Sequence, residues 1–96
     1  MSDSQTIWMI LWRHAFQEGG TQSFEISEVV PEVDKALQID NRGATRLVTG
    51  LLKELDRLPA GKQYFRQEGN AIVPLPELSN VPKEPQAEFA AYPYEL

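Results

Sequence analysis

The sequence predicts a small α+β domain, made of three helices with a short strand and a C-terminal β-hairpin and followed by a flexible tail. Three observations carry this. Apolar residues Ala44, Leu47, Val48, Leu51, Leu52 and Leu55 recur at one-face helical spacing over about residues 41–58. The stretch "KQYFRQEGNAIVPL", residues 62–75, holds two short apolar-bearing runs around Gly69 and Asn70, as a hairpin does. Between the second and third helical patterns stands the three-residue corner "QID". A chain of 96 residues supports one modest core, placed here in residues 1–75, with residues 76–96 as a Pro-rich acidic tail.

The first segment, "SDSQTIWMILWRHAFQEGG", spaces Trp8, Leu11, Trp12 and Ala15 along one helix face. Ser2 and Gln5 fit a capping box, and Gly19–Gly20 fit a stop. Met9 and Ile10 are apolar as well, so a strand over residues 6–12 is the alternative. The same breadth of apolar surface suggests a partner contact through Trp8 and Met9. "SFEI" alternates as a very short strand does. In "SEVVPEVDKAL", Ser27 is the expected N-cap, Pro31 is assigned to the first turn, and Val29, Val30, Val33, Ala36 and Leu37 form the apolar face. Asp40 is the expected N-cap of the third helix, and Pro59 and Gly61 end it. Pro74 confines the second hairpin strand to an edge or an end. The expected core joins Trp12, Phe24, Val33, Leu37, Leu47, Leu51, Leu55 and Phe65.

Composition narrows function by exclusion. There is no cysteine, hence no disulfide, thiolate metal site or cysteine nucleophile. His14 is the single histidine and has no second imidazole to complete a metal site, and no serine–histidine–aspartate or phosphate-loop signature is present. The expectation is a non-enzyme without metal or cofactor. The longest apolar run, Ile7–Trp12, is too short to span a bilayer and no basic leader precedes it, so a cytoplasmic protein without membrane contact is expected.

Charge is segregated along the chain. Residues 1–40 carry seven acids against two bases, residues 41–67 six bases against two acids, and residues 68–96 five acids against one base. The basic block is the third helix and the hairpin. At 100° per residue, Arg42, Arg46, Thr49 and Lys53 fall almost opposite the apolar stripe, with Gly50 and Arg57 at the edge of that row. A charge row on an amphipathic helix is usually a solvated face. The glutamates at 25, 28 and 32 likewise read as a solvated acidic face, with no glycine-bearing ligand loop after them. The aromatics in "EFAAYPYEL", Tyr92 and Tyr94 among them, offer either a plain terminus or a segment that orders on a partner.

"ALQIDNRGATRLVTGLLKELDRL" resembles the paired second and third helices of small bacterial winged helix-turn-helix regulators. A small residue and Leu end the second helix there, an apolar residue (Ile39) fills the corner, and a small residue (Ala44) packs early in the third helix. "KQYFRQEGNAIVPL" stands where the wing belongs, and the resemblance covers about residues 5–75. It implies double-stranded DNA as partner, transcription regulation as role and a homodimer as the assembly. It also implies that Asn41, Arg42, Thr45 and Arg46 face bases, that Lys53 and Arg57 touch phosphate with Thr49 in the same DNA-facing row, and that the wing residue Arg66 meets phosphate or the minor groove. Glu28, Glu32 and Asp34 on the second helix, and Glu54 and Asp56 on the third, depart from that pattern. The competing expectation is a winged-helix interaction module, an adaptor or complex subunit, that binds an acidic protein through the same row.

Overall fold

The structure, a computed structural model, describes residues 3–17 and 20–80. Helix α1 (Asp3–Ala15) leads into a two-stranded ribbon, β1 (Phe16–Gln17) with β2 (Gly20–Thr21), and then β3 (Phe24–Glu25). Helices α2 (Ile26–Leu37) and α3 (Asn41–Asp56) follow, then β4 (Phe65–Glu68), β5 (Ala71–Pro74) and a 3-10 helix over Pro76–Asn80. The second sheet is antiparallel in the order β3-β5-β4. Three helices and a small three-stranded antiparallel sheet make an α+β fold, and the tail residues 81–96 lie outside the described residues.

The N-terminal segment is a helix, and it is buried almost all round. Ile7, Trp8, Ile10, Leu11, Trp12 and Ala15 are all in the core, and Met9 is half-buried. A helix apolar on most sides belongs inside a protein, and α1 packs against α2, α3 and β1 while Trp8 meets the hairpin aromatics. The expected partner contact through Trp8 is therefore corrected: this side chain is 0% exposed and has no free face to offer.

Helix α2 begins two residues earlier than expected. Glu25, extended at φ −88° and ψ 148°, is its N-cap in place of Ser27, and the Glu25 N–H donates to the Glu28 carboxylate at 2.6 Å. Pro31 consequently falls beyond the first turn and deprives the Ser27 carbonyl of its helical donor. Both residues are exposed, so that carbonyl stands on the solvent side of the helix rather than in the core. Gln38 closes α2 in the left-handed region, φ 57° and ψ 48°, and its N–H and that of Ile39 both reach the Asp34 carbonyl. Asp40 then caps α3 as expected, accepting from Gly43 N–H at 2.7 Å on its side chain and from Ala44 N–H at 2.9 Å on its carbonyl.

In α3 the buried face is Ala44, Val48, Leu51, Leu52 and Leu55. Leu47, assigned to the core from spacing, is 37% exposed, and Leu37 is half-buried. The stripe is centred on Leu55 and Val48, so Leu47 falls at its rim beside the polar start of α1, residues Asp3 and Ser4. The other expected core members, Trp12, Phe24, Val33, Leu51, Leu55 and Phe65, are buried.

The hairpin has a two-residue turn with Glu68 opposite Ala71, and Gly69 takes φ +61° there. Pro74 pairs with Phe65 on the last rung, past the end of the β3 ladder, where its missing N–H costs no pairing with β3. Two ties hold the hairpin root. The Gln63 amide donates to the Asp56 and Leu58 carbonyls at 3.0 and 3.1 Å, covering the end of α3. Tyr64, at φ +66°, is the centre of a γ-turn closed by Phe65 N–H on the Gln63 carbonyl at 2.7 Å.

Part of the stretch expected as tail, Pro76–Asn80, is a 3-10 helix, and its Leu78 is fully buried in the apolar core. A chain cut after Pro76 should lose roughly 2–5 kcal/mol, as should Leu78→Ala, while a cut after Asn80 should retain cooperative unfolding near full strength. Equal denaturant midpoints for the two truncations would place Leu78 outside the core. Leu51→Ala should cost roughly 2–5 kcal/mol and Leu47→Ala no more than about 1 kcal/mol; a reversed order in denaturant unfolding would mean the α3 stripe is rotated.

Candidate nucleic-acid interface

The face of α3 opposite the core is cationic. Measured from Leu55 at about 100° per residue, Arg46 stands about 180° away, Lys53 and Arg57 about 160°, and Arg42 about 140°. All four are exposed, and among the described residues none of them enters an ion pair. The core centre lies closer to Leu55 than spacing alone suggests, which moves Arg57 from the edge of the row into it. The row runs about 22 Å at 1.5 Å per residue, longer than the roughly 12 Å width of a major groove, so a helix that crosses the groove holds only part of the row within it.

Asn41 and Thr45 are exposed near the helix start, and Thr49 is half-buried. The two threonine hydroxyls are already engaged: Thr45 donates to the Asn41 carbonyl at 2.8 Å and Thr49 to the Thr45 carbonyl at 2.9 Å. What they present outward is a methyl group and an acceptor lone pair rather than a donor.

Arg66 is not brought together with this row. Its guanidinium is 2.8 Å from Glu68, and strand alternation from the buried Phe65 puts both on the sheet face turned away from α3. The residue on the α3 side is Gln67, which shares a groove of about 350 Å³ with Lys53, Asp56 and Gly69. Counting by twos from Phe65 would have found it in the sequence. A second groove, about 480 Å³, lies between the N-terminal halves of α2 and α3: Asn41 and Thr45 line one wall, Ser27, Val30 and Pro31 the other, and Asn70 of the hairpin turn one end. Asn70 gave no signal in the sequence beyond its turn position.

The acids sit on α2. Glu28 and Glu32 are exposed and Asp34 half-buried, and Glu32 is joined to His14 across the α1–α2 contact. Among the described residues there is no cluster of three or more His, Asp or Glu side chains placed to hold a metal. No described helix is long and apolar enough to cross a membrane. Tyr92 and Tyr94 lie outside the described residues. No protein-family model, curated protein or solved structure matches the chain.

Gly50 lies on the rim of the cationic arc, and a Cβ built there meets no atom within 4 Å. Gly50→Ala should therefore stabilise the fold by about 0.5–1 kcal/mol through helix propensity alone. An unchanged or lowered denaturant midpoint would show that the helix backbone is constrained there.

Proposed function

We propose that the chain is a winged helix-turn-helix domain and acts as a small DNA-binding regulator, with α3 reading the major groove of double-stranded DNA. The observation that carries this reading is the arc of four exposed cations, Arg42, Arg46, Lys53 and Arg57, opposite the core on α3 and without an ion pair among the described residues. Its supports are the capped three-residue corner before α3 and a hairpin rooted on the end of that helix by Gln63. The N-terminal half of α3 enters the groove with Asn41, Arg42, Thr45 and Arg46, while Lys53 and Arg57, too far along to stay within it, meet phosphates. The hairpin contributes Gln67 next to Lys53 rather than Arg66, whose charge is largely cancelled by Glu68.

Net acidity does not oppose this. Exposed charges are screened over about 8–10 Å at physiological salt, so a duplex lying on the α3 arc feels those four cations far more than acids elsewhere on the surface. A second reading, an adaptor that binds an acidic protein through the same arc, is favoured by Glu54 and Asp56 beside it and by the acids of α2. A homodimer, cytoplasmic like the regulators the sequence resembles, would need a surface other than α1. Among the described residues Leu47 is the one large hydrophobic side chain left exposed.

Arg46→Ala and Lys53→Ala separate the readings. Arg46→Ala should weaken the preferred duplex by roughly 1–3 kcal/mol and random DNA less, because it removes base contacts. Lys53→Ala should weaken all sequences alike and lower the salt slope by about one unit, because it removes one phosphate contact. Neither should move unfolding stability by more than about 0.5 kcal/mol. Titrations at two salt concentrations in which both variants bind duplex like the wild type would sink the DNA reading, and loss of a protein partner by the same variants would establish the adaptor.

A further inference from the structure

We propose that the flank of α3 between its cationic arc and α1 is a self-association surface, and that two copies of the chain pair there with their α3 helices antiparallel. The pairing does not rest on the DNA-binding reading; that reading decides only what the pairing blocks.

The flank allows a close approach. Gly50 sits in the middle of α3, where glycine is less favourable than alanine, yet a Cβ there would meet no atom within 4 Å. Nothing inside the fold calls for glycine at that position, whereas a helix laid across it from outside does. Beside Gly50 lies a groove of about 140 Å³, with Ile7 and Leu51 of the core at its floor and Asp3 at the start of α1 on its far side. Leu47 stands on the rim and is the one large hydrophobic side chain left exposed among the described residues. The surface therefore carries both an apolar notch and an apolar knob. A two-fold axis midway between Leu47 and Gly50 seats Leu47 of each copy over Gly50 of the other.

Charge then names the occupant. Arg46 and Glu54 border the same groove two turns apart, about 12 Å along the helix, too far to pair within one chain. Among the described residues neither enters an ion pair. In the antiparallel pair, Arg46 of each copy comes within about 4.5 Å along the axis of Glu54 of the other, inside the reach of an arginine side chain. A surface that carries both signs in this order complements itself, whereas a uniformly acidic partner would satisfy Arg46 and be repelled by Glu54. One helix flank per copy is small beside the roughly 1,200–2,000 Å² of a stable complex, so the dimer is weak and forms only at high concentration.

The pairing bears on the arc next to it. Packed helices lie about 8–10 Å apart, whereas two copies side by side on a duplex hold their reading helices about 34 Å apart. The paired form also engages Arg46. Duplex and second copy therefore compete for the same helix.

Sedimentation equilibrium of the full chain up to millimolar concentration tests this. Leu47→Ala, which removes the knob, should weaken self-association by at least about 10-fold. Gly50→Ala should weaken it by about 5-fold or more, even though it raises the unfolding midpoint in dilute solution. Arg46→Glu and Glu54→Arg should each weaken it by about 10-fold, and the double variant should return to within about 3-fold of the wild type. One single reversal makes the chain more acidic and the other less, so a loss in both comes from the local contact and not from net charge. Added duplex should dissolve the wild-type pair. The proposal is overturned if the wild type stays monomeric at millimolar concentration, if Leu47→Ala or Gly50→Ala associates as tightly as the wild type, or if the double reversal associates no better than the single ones. Duplex that binds without dissolving the pair overturns it as well. A wild type that self-associates in this pattern and binds no duplex sinks the DNA reading and leaves the surface standing.

Discussion

Trp8 holds the first helix to the hairpin. It is fully buried and meets Tyr64 and Phe65 edge-on, with centroids 5.7 and 5.3 Å away and interplanar angles of 76° for both. Such T-shaped contacts are favoured by the aromatic quadrupole beyond the area they bury. Phe65 in turn stands edge-on to Phe24 at 6.3 Å, so one aromatic chain runs from α1 through the first hairpin strand to β3. Every surface feature of interest is referred to that chain. Phe24 begins the step into α2, and Phe65 sets the face on which Gln67 comes to lie beside α3. Nothing polar is buried among the described residues, so the assembly is held by apolar packing and the position of the hairpin is only as good as this aromatic contact.

Tyr64 makes that dependence visible. A bulky residue at φ +66° is an unfavourable conformation, and a γ-turn of this hand is rare. It persists because its neighbours are satisfied by it: Phe65 N–H finds the Gln63 carbonyl, Leu75 N–H finds the Tyr64 carbonyl at 2.8 Å, and the Tyr64 ring packs on Trp8. Gln63, one residue earlier, covers the last carbonyls of α3. The sharp turn thus converts the exit from α3 into the entry to the hairpin within a few residues. The strain is the cost of placing a helix end and a strand start side by side.

How much of this was legible in the sequence depends on whether a feature repeats. The helix α3, the hairpin and the Asp40 cap were readable because each has a period or a fixed offset, and a period survives small errors of phase. Leu47 shows the limit: all six apolar positions of α3 obey the spacing, but which of them lies at the rim depends on what α1 places opposite, and Asp3 and Ser4 leave that edge thinly covered. Glu25 was missed as a cap because its role needs an extended backbone, which here is imposed by pairing with Ala71 of β5. Leu78 was missed because a single buried residue in a Pro-rich stretch has no period at all. The candidate interface divides in the same way. The cations of α3 could be counted from the sequence, while the pairing of Arg66 with Glu68 and the positions of Gln67 and Asn70 could not, because their surroundings are tertiary.

The segregation of charge has a structural logic that net charge conceals. The bases of α3 and the acids of α2 occupy consecutive helices separated by three residues, yet among the described residues no ion pair joins the two helices. Exposed pairs contribute at most about 1 kcal/mol, so stability does not demand that these charges meet. Orientation favours keeping them apart. A polyanion approaching the domain is attracted to one helix and repelled by its neighbour, and it gains most when it lies along α3 and clear of the Glu28 side of α2. Glu32 is joined to His14 rather than to α3, and among the described residues no carboxylate forms an ion pair with Arg42, Arg46, Lys53 or Arg57, so the arc stays open to an acidic surface that approaches it.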